Sequence, residues 1–226
     1  MHYILDTANV DSIKEAIESY PISGVTTNPT IIAKENTDFK KLLTDIKNCI
    51  GPDRMLHVQV TSPNAEEMFQ EAVALNSFVG ENFYVKVPTN AEGLKAMMKI
   101  HEAGIKITAT AIFTQQQALV AARAGADFVA PYVSRVDNLT RDGVQLVTDI
   151  VQMFKLYDIK TKVLAASFKT AEQVHKLALA GCDSVTLNPE LLHTLLYNPI
   201  TNYAVNAFNA DWYHVYGDKK ILDLLK

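Results

Sequence analysis

The sequence has few cysteines and no long apolar run, and each absence excludes a class of protein. Cys49 and Cys182 lie far apart and form no CxxC pair, so neither a disulfide-stapled fold nor a paired-cysteine metal site is predicted. Each is expected to be a reduced thiol on an apolar face. No stretch approaches the roughly 20 apolar residues that span a bilayer. The first residues, MHYILDTANV, lack the features of a secretory signal, so we expect a cytoplasmic protein without membrane contact.

Excess positive charge is also missing, since the formal net charge is −4. Such a chain has no general attraction for nucleic acid or anionic lipid, and any phosphate site must be local. The HExxH and Walker A motifs are absent, and we interpret the lone His57 as a packing residue. We therefore predict no metal site. Hydrophobic residues at 48% and charged residues at 20% are ordinary for a soluble domain with a full core.

No low-complexity segment or linker divides the chain, and short β-branched runs alternate with longer helical periods. Helix starts are indicated at Ser62-Pro63, at Thr89 and at Thr170. Strands buried on both faces read as short, nearly continuous apolar runs. Eight such runs occur, at 3–6, 24–27, 55–60, 83–87, 105–112, 127–133, 162–167 and 183–187.

This alternation predicts an α/β fold, a closed (β/α)8 TIM barrel over residues 1–199 with a helical extension of the same domain over 200–226. The alternative is an open doubly wound sheet, which usually has a glycine-rich turn after its first strand. Here Asp6-Thr7-Ala8-Asn9 follows that strand, so the barrel is favoured. The extension contains a predicted helix over 200–212. It is either a lid on its own barrel or an arm that docks on a neighbouring subunit.

Polar residues lie at the carboxyl ends of all the predicted strands except the eighth. In a barrel the active site lies at these ends. Capping and loop groups would account for some of them in any barrel, but the whole set is harder to explain in that way. In chain order they are Asp6, Thr26 with Thr27 and Asn28, Gln59, Lys86, Thr110, Tyr132 with Ser134 and Arg135, and Ser167.

Lys86 is the most informative of these residues, because it interrupts the apolar run Phe83–Val87. Burial favours the neutral amine, which is the form that attacks a carbonyl. Lys106 and Lys162 also lie on predicted strands, but at their starts. Lys169 follows the seventh strand, where a solvated or phosphate-facing role suits it better. A lysine that merely snorkels to solvent is disfavoured in a closed barrel.

The other candidates each have an alternative interpretation. Asp6 is either a general base or the cap of the following helix. Tyr132 either moves a proton or packs with its hydroxyl satisfied. Arg135 and Ser167 suggest an anion site next to the amides that begin the following helix. The alternative for Arg135 is a surface ion pair with Asp137.

Several motifs together resemble one known family. They are LDTANV at 5–10, GVTTNPTII at 24–32, VKVP at 85–88, APYVSRVD at 130–137, VLAASFKT at 163–170 and FNADW at 208–212. Over nearly the whole chain the sequence resembles the small transaldolase family, and most closely its fructose-6-phosphate aldolase branch. The resemblance implies a (β/α)8 barrel that uses a Schiff base and needs neither metal nor organic cofactor.

The resemblance also implies roles for the residues at the strand ends. Lys86 would form the Schiff base, and Asp6 would handle the proton of the hydroxyl at the bond that is cleaved. The remaining residues would bind substrate or order water. Asn28 and Ser167 would hold donor hydroxyls with Thr26 beside them, Arg135 and Ser167 would bind phosphate, and Gln59, Thr110 and Tyr132 would order the water of imine formation and hydrolysis.

Gln59 and Tyr132 indicate the branch, because the transaldolases of the family usually carry glutamate and phenylalanine there. The resemblance therefore implies an aldolase that cleaves fructose 6-phosphate to dihydroxyacetone and glyceraldehyde 3-phosphate. The alternatives are a transaldolase that transfers dihydroxyacetone to erythrose 4-phosphate, and a non-catalytic barrel that binds sugar phosphates. Short members of the family form decamers of two pentameric rings, so a homo-oligomer is expected, with sugar phosphates as the only other partners.

Overall fold

A computed structural model describes residues 1–226. Eight parallel strands pair in sequence order, and the eighth pairs with the first, so the sheet is a closed barrel. The predicted (β/α)8 barrel is confirmed and the open doubly wound sheet is wrong. The strands are β1 (His2–Asp6), β2 (Ile22–Thr26), β3 (Met55–Gln59), β4 (Phe83–Pro88), β5 (Ile107–Ile112), β6 (Phe128–Pro131), β7 (Lys162–Ala165) and β8 (Ser184–Leu187).

Helices follow the strands, and the predicted C-terminal helix is present as α11. No helix is both long and apolar enough to cross a membrane. The helices are α1 (Val10–Ser19), α2 (Pro29–Lys34), α3 (Phe39–Ile50), α4 (Ala65–Val79), α5 (Ala91–Glu102), α6 (Gln115–Arg123), α7 (Val133–Asp137), α8 (Gly143–Leu156), α9 (Ala171–Ala180), α10 (Pro189–Leu196), α11 (Pro199–Tyr216) and α12 (Ile221–Leu224).

The capping box predicted at the start of α9 is confirmed. The Thr170 hydroxyl accepts from the backbone N–H of Gln173, whose side chain accepts from the backbone N–H of Thr170. These two bonds satisfy amides that have no partner inside the helix. Gly181 ends the helix at φ +79°, a conformation that glycine adopts without a Cβ clash.

The predicted starts of α4 and α5 are slightly wrong, because asparagines cap these helices. The side chains of Asn64 and Asn90 accept from the third amide of their own helix. The Ser62 hydroxyl instead donates to the carboxylate of Glu71 at 2.7 Å, and the Thr89 hydroxyl donates to a backbone carbonyl of β5.

The strand register determines which side chains share the barrel interior. Asp6 pairs with Thr26 across β1 and β2, and Gln59 pairs with Lys86 across β3 and β4. Side chains alternate between the two faces of a strand, so the apolar neighbours of Lys86 point outward to the helices. Val85 and Val87 are both fully buried there. The register thus directs Lys86 into the barrel.

The chain divides into two compact units, Met1–Leu192 and His193–Lys226. The boundary that we predict between residues 199 and 200 falls inside the second unit. In that unit α11 has no buried residue, and Tyr203 and Phe208 are largely exposed. The indole N–H of Trp212 donates to the carbonyl of Lys219 at 2.7 Å, which ties the end of α11 to the segment after it.

Candidate active site

A cavity of about 340 Å³ opens where the barrel strands end. Its position follows from the fold, since parallel strands in a barrel bring all their carboxyl ends to one side. It is lined by eight of the nine site residues predicted from the sequence, which are Asp6, Thr26, Asn28, Lys86, Thr110, Tyr132, Arg135 and Ser167.

Gln59 is the predicted residue that does not line this cavity. It pairs in register with Lys86. It lines a second cavity of about 530 Å³, which is mostly apolar and includes Phe39, Leu75 and Phe78. Gln59 therefore has the strand position that the sequence predicts, but the residue borders a neighbouring cavity.

Lys86 lies at the floor of the first cavity and is only 6% exposed. Its ammonium nitrogen Nζ donates to the carbonyl oxygen of Thr27 at 2.6 Å. Burial lowers the pKa of Lys86 below its ordinary value, and the negative charge of Asp6 acts in the opposite direction. Since a lowered pKa increases the neutral fraction, this amine is the one suited to attack a carbonyl.

Thr27, whose carbonyl accepts from Lys86, is held in place by hydrogen bonds to the neighbouring strand β3. Both the backbone N–H and the hydroxyl of Thr27 donate to the carbonyl of His57, at 2.9 and 3.1 Å. His57 is fully buried, stacks on Tyr84 and bonds through Nδ1 to the hydroxyl of Thr108 at 2.8 Å. Burial lowers the pKa of His57 to about 3, with the charge of Lys86 as a smaller cause. The histidine is a neutral packing residue, as the sequence predicts.

The other lysines on or after strands occupy different environments. Lys106 precedes β5 and lies 5.3 Å from the ring centre of Tyr84, and Lys162 begins β7 in an exposed position. Neither lines the cavity. Lys169 does line it, from an exposed position before α9. Lys169 and the exposed Lys34, which also lines the cavity, are rival amines, but both lack the burial that would favour a neutral amine.

Asp6 lies in a chain of short hydrogen bonds. The Thr26 hydroxyl donates to Asp6 Oδ1 at 2.7 Å and lies 2.6 Å from the Thr186 hydroxyl. The alternative interpretation of Asp6 as a helix cap is wrong, because Asn9 caps α1 by accepting from the backbone N–H of Ser12. The carboxylate is thus left to face the cavity.

Tyr132 and Thr110 form a hydroxyl pair on the opposite wall, with their oxygens 3.1 Å apart. The tyrosine ring is held at right angles to Phe113, with ring centres 5.4 Å apart. The guanidinium of Arg135 lies over the Tyr132 ring at 4.6 Å. Such a cation–π contact keeps the guanidinium beside the cavity while its N–H donors stay available.

The alternative interpretation of Arg135 as one half of a surface ion pair with Asp137 is wrong. The Asp137 carboxylate accepts instead from the backbone N–H of Gly143 at 2.7 Å and from the Gln173 amide at 2.6 Å. The amides that begin α9 are also less available than the sequence suggests. Those of Lys169 and Thr170 donate to Gln173 Oε1 and are not free to bind an anion.

Comparisons with known proteins agree with this geometry. Residues 3–220 match the family model described as "Transaldolase/Fructose-6-phosphate aldolase". This chain belongs to that family.

Curated relatives in the family match along nearly their whole length. A "Probable transaldolase" of Symbiobacterium thermophilum is 40% identical over 94% of this chain and 97% of its own. A "Probable transaldolase" of Brachyspira hyodysenteriae is 38% identical over 96% of this chain and 100% of its own.

A solved structure supports the fold alone. The 3,6-anhydro-D-galactonate cycloisomerase of Zobellia galactanivorans superposes with a TM-score of 0.56 at 13% identity, over 83% of this chain and 52% of the other.

Four polar residues of this family member line the cavity although they are not among the site residues predicted from the sequence: Thr30, Lys34, Thr186 and Asn188. Thr186 was missed because the last apolar run shows no polar residue at its end. The alternation of side chains along β8 would have found it, because Val185 and Leu187 are buried outward and Thr186 must then point inward. Lys34 lies on α2 with Thr30 and Ile31, which also line the cavity, at the spacing of one helical face.

Proposed function

We propose that this chain is a class I aldolase that cleaves fructose 6-phosphate to dihydroxyacetone and glyceraldehyde 3-phosphate. The observation that carries the proposal is Lys86, a buried amine with a lowered pKa at the floor of a cavity. Around it the cavity offers a carboxylate, a hydroxyl pair and the cations of Arg135, Lys169 and Lys34. A sugar phosphate supplies the carbonyl for the amine and the anion for the cations.

In the proposed mechanism the neutral amine of Lys86 attacks the C2 carbonyl, and loss of water gives an iminium. Asp6 accepts the proton of the C4 hydroxyl as the C3–C4 bond breaks. The electron pair of that bond moves to the iminium to give an enamine, and the aldehyde leaves. Protonation of the enamine at C3 and addition of water then release dihydroxyacetone and the free amine.

The phosphate is proposed to bind on the side of the cavity where Arg135 and Lys169 lie. Arginine donates in a planar fork that fits phosphate oxygens, and Ser167 adds a hydroxyl donor. Asn28 and Thr26 lie on the β2 side and are proposed to contact the hydroxyls of the three-carbon donor.

The choice of aldolase over transaldolase rests on two neutral residues, Gln59 and Tyr132, of which Tyr132 lines the cavity. Gln59 stands where a transaldolase usually carries glutamate, and Tyr132 stands where it usually carries phenylalanine. In this chain the phenol is paired with the Thr110 hydroxyl. We infer that this pair activates water for imine hydrolysis, so that dihydroxyacetone leaves as a free product. The relatives are named as probable transaldolases, which favours the second candidate, a transaldolase.

One assay separates these candidates. Fructose 6-phosphate is supplied without an acceptor, and free dihydroxyacetone is measured. An aldolase is expected to release free dihydroxyacetone even when no erythrose 4-phosphate is present. If dihydroxyacetone is transferred only when erythrose 4-phosphate is added, the chain is a transaldolase. If dihydroxyacetone is neither released nor transferred, the remaining alternative is a non-catalytic barrel that binds sugar phosphates.

The proposal includes a cytoplasmic homo-oligomer, a decamer of two pentameric rings. Its support is the resemblance to short members of the family, together with the exposed aromatic residues Tyr203 and Phe208 on α11. Exposed aromatic residues on one helix favour contact with another chain. Mass photometry is expected to give a mass of about ten chains, and a monomer would contradict the assembly.

A further inference from the structure

Hydroxyl groups from both strands that flank β1 meet beside Asp6. Thr26 lies on β2 directly across from Asp6 in register, and Thr186 lies on β8, where it pairs with Ile4. Their oxygens are 2.6 Å apart, and Thr26 is 2.7 Å from Asp6 Oδ1. Thr26 and Thr186 are 1% and 4% exposed, so bulk water has little access to either side chain.

The direction of these bonds follows from counting protons. A hydroxyl has one proton and accepts through its lone pairs, and an ionised carboxylate only accepts. Thr26 must therefore donate its proton to Asp6. The 2.6 Å contact with Thr186 is then a hydrogen bond only if Thr186 is the donor.

We propose that Thr186 is a positioning residue, whose hydroxyl donates to Thr26 so that Thr26 donates to the ionised carboxylate of Asp6. The inference rests on the proposed function, because it matters for catalysis only if Asp6 takes the C4 hydroxyl proton. This chain of donors from Thr186 through Thr26 to Asp6, called the relay below, holds one carboxylate oxygen of Asp6 in place. It leaves the other oxygen free for substrate. Loss of its terminal donor leaves the Thr26 hydroxyl less polarised, so the hydrogen bond that Thr26 donates to Asp6 is weakened.

The charged groups that face Asp6 come from several elements. Lys86 on β4 interacts with it electrostatically, and Lys34, Arg135 and Lys169 line the same cavity. Asp6 is the only carboxylate in the lining. A change in its hydrogen bonding is therefore not masked by a second acid in the cavity.

The test compares two substitutions of Thr186, one that removes the hydroxyl and one that retains it. Thr186→Val keeps the shape and removes the hydroxyl, whereas Thr186→Ser keeps the hydroxyl and removes a methyl group. The relay expects kcat for fructose 6-phosphate cleavage to fall roughly threefold to tenfold in Thr186→Val with little change in KM, the size of one lost hydrogen bond between neutral hydroxyls. Thr186→Ser is expected to stay within about twofold of wild type.

Two readouts separate the relay from packing. Ser184→Ala removes a buried hydroxyl from the same strand outside the cavity, and it is expected to leave kcat unchanged. If Thr186→Val is as active as wild type while Thr186→Ser is impaired, Thr186 fills space and the relay is overturned. The acidic limb of the kcat profile is expected to move to higher pH in Thr186→Val, because the carboxylate loses a stabilising donor.

An infrared titration keeps the relay testable if the proposed function fails. The carboxylate band of Asp6, assigned by its loss in Asp6→Asn, is followed against pH. The relay expects the band to be lost at a higher pH in Thr186→Val than in wild type. Identical titrations would overturn the relay, whereas an absence of cleavage and of a borohydride-trapped imine in wild type would overturn the proposed function instead.

Discussion

At the scale of single residues, the proposed chemistry depends on one amine, Lys86, whose position in the fold the sequence predicts. Lys86 can be predicted because a charged residue inside an apolar strand needs a reason to be there. The carbonyl of Thr27 that receives its Nζ cannot be predicted, because that contact joins two strands distant in sequence. The same holds for the contact of Thr186 with Thr26.

The buried charge of Lys86 is expected to lower stability in a pH-dependent way. The folded pKa lies below the unfolded value of about 10.5, so between these values the unfolded chain binds more protons and stability rises with pH. The deficit is complete below the folded pKa and vanishes above the unfolded one. Lys86→Met is expected to be more stable than wild type near neutral pH, with a difference that shrinks as pH approaches 10.5.

Denaturant unfolding at several pH values measures this difference. Lys162→Met is the matched control, because Lys162 is exposed at the start of β7 and should show no such trend. A stability difference for Lys86→Met that stays constant between neutral pH and the alkaline end would contradict the account. Lys86→Met also loses the hydrogen bond to the Thr27 carbonyl. This loss makes the variant less stable by a similar amount at every pH and does not change how the stability difference varies with pH.

Removal of the Arg135 guanidinium tests the anion site. Arg135→Met is expected to raise KM for fructose 6-phosphate by ~10–100-fold, the range for a lost hydrogen bond to a charged group. The kcat/KM for unphosphorylated fructose should change little. Arg123→Met, on the exposed end of α6, is the control. An equal loss for both sugars would mean that Arg135 does not recognise the phosphate.

At the scale of elements, the strand ends carry the site and the backbone there is strained. Ala111 follows Thr110 at φ +57°, and Ser167 follows the end of β7 at φ +64°. The register between β5 and β6 shifts at the first of these positions. Non-glycine residues with positive φ cost of order 1 kcal/mol or more and persist where the surroundings demand them. The sequence does not indicate this strain, because neither position is a glycine.

Ala111→Gly is expected to stabilise the protein by up to ~1 kcal/mol, since glycine adopts a positive φ without a Cβ clash. Ala118→Gly is the matched control inside α6, where the same substitution should destabilise by about 1 kcal/mol. Denaturant unfolding of both variants compares the signs. Destabilisation by Ala111→Gly as large as that by Ala118→Gly would mean that the strain is absent.

The sequence predicts the strands better than it predicts the starts of the helices. Continuous apolar runs predict all the strands, because burial on both faces leaves a strong pattern. The observed starts of α4 and α5 differ from the predicted ones because several neighbouring residues in each segment are able to cap a helix. Which of them does so depends on partners distant in sequence, such as Glu71, which binds the Ser62 hydroxyl.

At the scale of the whole molecule, the closed barrel places a cationic cavity in a chain of net charge −4. Closure was predictable from the order of the runs. The separation of the chain at residue 192 was not, because α10 continues the same strand–helix alternation.

Borohydride reduction in the presence of fructose 6-phosphate reports whether Lys86 is the residue that forms the imine. The reductant fixes an imine between the substrate and the amine that formed it, and peptide mass analysis locates the label. A label is expected on Lys86, and no label is expected when substrate is left out. A label on Lys169, or no label while substrate is present and bound, would contradict the role of Lys86.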